Sequence, residues 1–155
     1  MLIYEPHYFA ESEFRGWSEK MSPCLLIRLD QFRALWSNPV IISPAPGSLG
    51  RYLGAGDTSQ HNYNKWGEVR AVDFMPMLET GQPGEYRGAD KNELKTAVDI
   101  AFQVGFAGVG AYPYWKPYPG LHGDVRQAKR AKWVGLHNTN GKQYYTGMGA
   151  YFDAA

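Results

Sequence analysis

"SQHNYNKWGEVRAVDF", Ser59 to Phe74, is the stretch on which the reading of this chain turns. It carries one of only four histidines and ends in an acid set among small apolar residues. Val69, Ala71 and Val72 lead into Asp73, so Glu68 to Phe74 reads as a β-strand entered from a polar loop. Two readings stand side by side. Either a loop runs into an ordinary strand and His61 is a surface hydrogen-bonding residue, or His61 and Asp73 deliver two metal ligands to one point.

Upstream of this stretch, Ser43 to Trp66 is rich in Pro, Gly, Ser and Asn and shows no period. A segment of that length is either disordered or a functional loop. It follows a short apolar strand, Val40-Ile41-Ile42, and before that a helix. Ser22-Pro23 supplies an N-cap with proline at the first helical position, and Leu25, Leu29, Phe32 and Trp36 recur at helical spacing. Asn38-Pro39 ends it.

Downstream, a Gly-rich turn leads to Asp90 and Glu93, a capping box opening a second helix. Its apolar face is Leu94, Ala97, Val98, Ala101 and Val104, and Gly105 closes it. Then come a small-residue strand in "FAGVGAYPYW", the loop "KPYPG", and a further strand in "LHGDVR", Leu121 to Arg126. The remaining stretch is basic at first and then rich in Gly and Tyr, and it reads as a peripheral extension. The expectation is one domain over 1–155, with a core region at about 9–133 and an extension at 134–155. Its class is α+β, helices packed on a small, mainly antiparallel sheet.

Composition narrows the function. Hydrophobic residues at 44% and charged residues at 20% describe a folded chain rather than a disordered one. A net charge of +1 gives no electrostatic reason to expect nucleic acid as a partner. The single cysteine, Cys24, excludes an internal disulfide and any multi-cysteine zinc knuckle, so a metal would have to be held by His and carboxylate. No run approaches the roughly 18 apolar residues of a membrane span, and the N-terminus lacks the basic start and apolar run of a secretory signal.

A catalytic zinc takes three protein ligands from His, Asp and Glu and leaves a fourth position to water. His61, Asp73 and His122 are the candidates: Asp73 and His122 lie on predicted strands, and His61 lies in the loop before the first of them. Facing positions on neighbouring strands can converge on one ion. Asp124, two residues after His122, leaves the same strand face and is a candidate general base. The plainer alternative for Asp124 is a salt bridge to Arg126 or Arg70. His7 and His137 sit among turn formers near the chain ends, where surface placement is expected.

Several of these segments, in order from about Phe9 to Trp133, resemble the zinc peptidases that share the D-alanyl-D-alanine carboxypeptidase and hedgehog-type fold. Ser59-Gln60-His61 is similar to that family's Ser-x-His, and Ala71-Val72-Asp73 to the end of its Gly-x-Ala-x-Asp. "GVGAYP" followed by "LHGDVR" resembles the later part of the peptidoglycan-hydrolase branch. "FAESEF", "LLIRLDQFRALW" and "PVIISPAPGSLGR" are similar to the segment that in relatives ends in an arginine before Ser-x-His, here Arg51.

The resemblance implies Zn²⁺ held by His61, Asp73 and His122, peptidoglycan stem peptides as substrate, and Arg51 as a group that stabilises an oxyanion or holds a substrate carboxylate. It also implies a hedgehog or D,D-peptidase-like fold, with a phage-encoded lysis or virion protein as the setting. Such a protein would act in the virion or the host envelope without a signal peptide, alongside other virion proteins. Tyr112, Tyr114 and Trp115 are candidate cleft residues or core.

The chain departs from the family in two places. Twelve positions separate His61 from Asp73, five more than the family's spacing, and Gly67 stands two positions early. Many relatives carry the catalytic acid three residues before the last histidine, where this chain has Pro119. The base role then falls to Asp124 or to a residue such as Glu68. A second class of function stays open: a catalytically weak or inactive structural or binding component of a phage particle. So does the choice between endopeptidase and D,D-carboxypeptidase.

Overall fold

The computed structural model describes residues 4–154. Among them, seven strands and four α-helices form an α+β architecture on a mostly antiparallel, open mixed sheet. The strands are β1 (Val40–Ile42), β2 (Ala71–Glu79), β3 (Tyr86–Gly88), β4 (Gly108–Tyr112), β5 (Gly120–Asp124), β6 (Ala131–His137) and β7 (Gln143–Thr146). Their order is β1-β2-β5-β4-β6-β7, with β3 paired to β2. The β4–β6 pair is parallel and the others are antiparallel.

The two long helices follow from their sequence signals. α1 (Pro23–Trp36) starts on proline after Ser22, and its Leu25, Leu29, Phe32 and Trp36 are all buried. α3 (Lys91–Val104) opens on Asp90, whose carboxylate accepts the Glu93 N–H at 2.8 Å while Glu93 reaches back to the Asp90 N–H. Gly105, at φ 102°, closes it in the left-handed region that glycine alone adopts without strain. Both helices bury their apolar stripes with the inward residues of the sheet: Phe32 meets Phe74 edge-on at 4.9 Å, and Phe74 stacks with Phe106 at 5.9 Å.

Strand alternation decides what faces the helices and what faces away. Val72 and Phe74 of β2, Val109 and Ala111 of β4, Leu121 of β5 and Val134 of β6 all enter the core. The alternate positions are Asp73 on β2, Gly108, Gly110 and Tyr112 on β4, Gly120, His122 and Asp124 on β5, and Trp133 and Gly135 on β6. This second face carries the candidate site.

Three sequence expectations change. The strand expected at Glu68–Phe74 begins at Ala71 and continues to Glu79, through Pro76. Proline reads as a strand stop because it has no N–H for the ladder. Here Ser43 N–H bonds Asp73 O and Met77 N–H bonds Pro39 O, so the N–H of position 76 would point away from β1. On the other side the β5 register ends at Phe74, and no rung is lost.

The Gly-rich turn before α3 holds the short strand β3. The C-terminal extension is not peripheral: the expected boundary at 133/134 cuts through β6, which lies in register beside β4. The short helix α4 (Met148–Phe152) then packs against β6 and α3. The other short helix, α2 (Tyr63–Trp66), ends the long loop after β1.

Candidate metal centre

The sheet register places Asp73 of β2 directly opposite His122 of β5. The long loop brings His61 to the same point, and its Pro/Gly/Asn-rich sequence is pinned rather than loose. Arg51 N–H donates to His61 O at 2.8 Å, and Tyr63 N–H donates to Arg51 O at 2.9 Å. Fully buried Asn62 ties the loop to itself through four bonds, accepting from the N–H groups of Leu53 and Asn64 and donating to the carbonyls of Gly54 and Asp57. His61 is thereby held as a buried residue, 2% exposed, and not as a surface one.

Hydrogen bonding fixes which ring atoms are free. His61 Nδ1 lies 2.5 Å from the carbonyl oxygen of Leu49, which can only accept, so Nδ1 carries the proton and Nε2 presents a lone pair. His122 Nε2 lies 2.8 Å from Asp124 Oδ2, a bond the ring donates, and Nδ1 is left facing inward. His61 Nε2, His122 Nδ1 and Asp73 Oδ1 then converge, at 3.2 Å from His61 to Asp73, 3.0 Å from His122 to Asp73 and 3.3 Å between the two nitrogens.

Three acceptor atoms at that separation need a cation or protons between them. Ligands bound at about 2.0–2.1 Å around a tetrahedral ion lie roughly 3.3–3.4 Å apart, so the spacing and the nitrogen-nitrogen-oxygen donor set fit a metal such as zinc. The group can hold a metal ion.

The charges respond accordingly. Burial pushes the Asp73 carboxyl up, but hydrogen bonds and charge from His122 and His61 win and hold it well below the usual carboxylate range. Burial pushes the His122 imidazolium down, yet the bonds to Asp124 and Asp73 outweigh it and raise its pKa to about 9. In the chain alone, a proton on His122 does part of what a cation would do.

Asp124 stands on the expected strand face but in a different role. It is fully buried, on the side of the His122 ring away from Asp73 and His61. Arg126 grips it through Nε to Oδ1 at 2.8 Å and Nη2 to Oδ2 at 2.5 Å. With both oxygens occupied, Asp124 orients His122, so the expectation that it acts as general base gives way to a positioning role. The salt bridge to Arg126 is present, and the alternative partner, Arg70, pairs with Glu68 at 2.9 Å instead. Glu68 is thereby engaged and does not line the cavity over the triad.

That cavity, of about 700 Å³, is walled by the triad, Arg51, Lys116, Arg126, Tyr112, Trp115, Trp133 and, from β7, Gln143 and Tyr145. Arg51 stands at the rim with Nη2 4.0 Å from Asp73 Oδ2 and Nε bonded to Gly47 O at 2.8 Å. Of the cleft candidates, Tyr112 and Trp115 line the cavity, while Tyr114 is exposed away from it. Asp73 is the one carboxylate in the wall among the described residues. His7 and His137 are exposed, as expected.

Of the wall residues, Gln143 and Tyr145 escape sequence reasoning because they lie in the expected extension, 134–155, and Trp133 because it stands at the very end of the expected core region. The signal that marks Trp133 is its pairing with a small-residue strand. A Cβ added to Gly108 would come under 3.0 Å from Asp124 and Arg126, one at Gly110 from the Trp133 ring, one at Gly120 from Trp115 and one at Gly135 from the Tyr112 ring. These glycines are a floor on which the site's side chains lie flat. No protein-family model matches the chain, and no curated protein or solved structure matches it.

Proposed function

We propose that this chain is a zinc-dependent peptidase acting on peptidoglycan stem peptides, with a hedgehog or D,D-peptidase-like fold. The observation that carries the reading is the convergence of His61 Nε2, Asp73 Oδ1 and His122 Nδ1 within 3.3 Å of one another in the wall of an open cavity. The ordered likeness of the segments from Phe9 to Trp133 to that peptidase family supports it. Zinc bound at such a site polarises a carbonyl and lowers the pKa of a water toward ~7.

The chain's own residues supply the rest. Asp124, clamped by Arg126, fixes the tautomer and the plane of His122. Leu49 does the same for His61 through its carbonyl. Arg51 and Lys116 give the wall positive charge suited to a peptide carboxylate. In the phage setting proposed, the protein would work in the virion or host envelope, beside other virion proteins.

One observation favours the second reading, a catalytically weak structural or binding component of a phage particle. Asp73 is committed to the triad, Asp124 is enclosed, Pro119 lies outside the cavity wall, and among the described residues no further carboxylate in that wall is free to act as base. Digestion of purified cell walls by the zinc-loaded and the chelator-treated protein separates the two. Release of new amino termini by the zinc-loaded form alone supports the peptidase; no release by either form supports the structural component.

A further inference from the structure

Tyr112 occupies the end of β4 on the site face, and three neighbours hold its ring. It lies over Gly135 of β6, in the space a side chain there would fill. It stacks on Trp115 with ring centroids 4.1 Å apart and planes 10° from parallel. Trp133, laid in turn over Gly110, donates its indole N–H to the Tyr112 hydroxyl at 2.9 Å.

An indole nitrogen only donates, so the Tyr112 oxygen is the acceptor and its own proton must go elsewhere. Among the described residues no protein group takes that proton. Tyr112 lines the cavity that holds the triad, and the Asp73 and Arg51 charges act on its phenol in opposite directions. Burial, first of all, pushes the phenol up to about 12, against the Trp133 bond that lowers it, so the group stays protonated near neutrality and cannot serve as a base.

We propose that Tyr112 is a catalytic residue whose hydroxyl, aimed by Trp133, donates a hydrogen bond to the carbonyl oxygen of the substrate as negative charge develops on it. No proton is transferred: the O–H bond stays intact and the interaction strengthens as the carbonyl becomes tetrahedral. A donor fixed in place before reaction costs no reorganisation during it, which is where such groups gain their effect. Among the described residues Asp73 is the one carboxylate in the wall, and Tyr112 adds a neutral donor there. The proposal rests on the peptidase reading, and the experiment keeps the two apart.

Tyr112→Phe keeps the ring and removes the donor. With zinc-loaded protein, kcat on a cell-wall peptide should fall roughly 10–10²-fold while KM moves less than about threefold. Zinc content should match the parent, and melting temperature should fall only modestly, because the half-buried Trp133 N–H loses its acceptor. Affinity for a phosphinate dipeptide analogue, a tetrahedral mimic, should weaken in the same direction.

Trp133→Phe leaves the hydroxyl but frees it to rotate, and a smaller loss in phosphinate affinity is expected. If Tyr112→Phe does not fold, Trp133→Phe alone decides. Parent-like kcat and phosphinate affinity in Tyr112→Phe would overturn the role of Tyr112 and leave the peptidase standing. A parent that cuts no peptide yet binds the phosphinate through Tyr112 would remove the peptidase and leave the contact.

Discussion

The two faces of one sheet are built from the same strands and do opposite things. On the helix side, Val72, Phe74, Val109, Ala111, Leu121 and Val134 fill their space with hydrocarbon. On the other side the same strands carry Asp73, His122, Asp124, Tyr112 and Trp133, with Gly108, Gly110, Gly120 and Gly135 between them. The first face is held by burial of area. The second is held by directed bonds and by empty positions that let large side chains lie down. A glycine-rich strand here marks a crowded surface, not a weak one.

The largest effect belongs to the helix face. Phe74→Ala removes a ring packed against Phe32 and Phe106 and should cost about 3–5 kcal/mol of stability. Denaturant unfolding with and without chelator should give the same loss, since a metal held by His61, Asp73 and His122 would lie on the other face. A loss that disappears on adding zinc would break the comparison.

On the site face, Asp124→Asn keeps the shape but removes the charge that orients His122. Zinc affinity should weaken about 10–100-fold, as for other residues that orient a metal-bound histidine. Competition with a fluorescent chelator measures it. An unchanged zinc affinity with a large loss of rate would restore Asp124 as the base.

The same hydrogen bond makes chelator-treated protein sensitive to alkali. The folded pKa of His122, about 9, lies above the ordinary 6.5, so its contribution to stability is full below pH 6.5 and is lost as pH rises through 9. Melting temperature of the chelated chain should therefore fall across that window, and the zinc-loaded chain should fall less. A flat profile in the chelated chain would show that His122 is not paired as described.

The smallest effect tests the floor. Gly110→Ala puts a methyl against the Trp133 ring and should cost about 1 kcal/mol, at the low end of overpacking, while shifting the indole fluorescence. Parent-like stability and emission would mean that the strand has room to spare.

Much of this architecture is legible in the sequence itself. The helices announced themselves through Pro23, the Asp90–Glu93 box and apolar spacing, because caps and periodicity are local properties of the chain. The convergence of His61, Asp73 and His122 was legible only through strand placement and the family likeness, since the residues lie far apart in sequence. What was not legible depends on partners. Pro76 is tolerated because the β5 ladder has already ended, a fact that belongs to another strand. Asp124 leaves the same face as His122, but which side of the imidazole it meets is set by Arg126 and by the ring's rotation. The segment after Trp133 has no hydrophobic period strong enough to show β6 lying parallel to β4, so nothing local in the sequence puts Gln143 and Tyr145 at the cavity.

The central claim is that His61, Asp73 and His122 form one metal site. Titration of zinc into chelator-stripped protein, followed by calorimetry, tests it most directly. One saturable site per chain is expected, lost in His61→Ala and in His122→Ala and kept in His7→Ala and His137→Ala. No stoichiometric binding by the parent, or binding that survives His122→Ala unchanged, would contradict it.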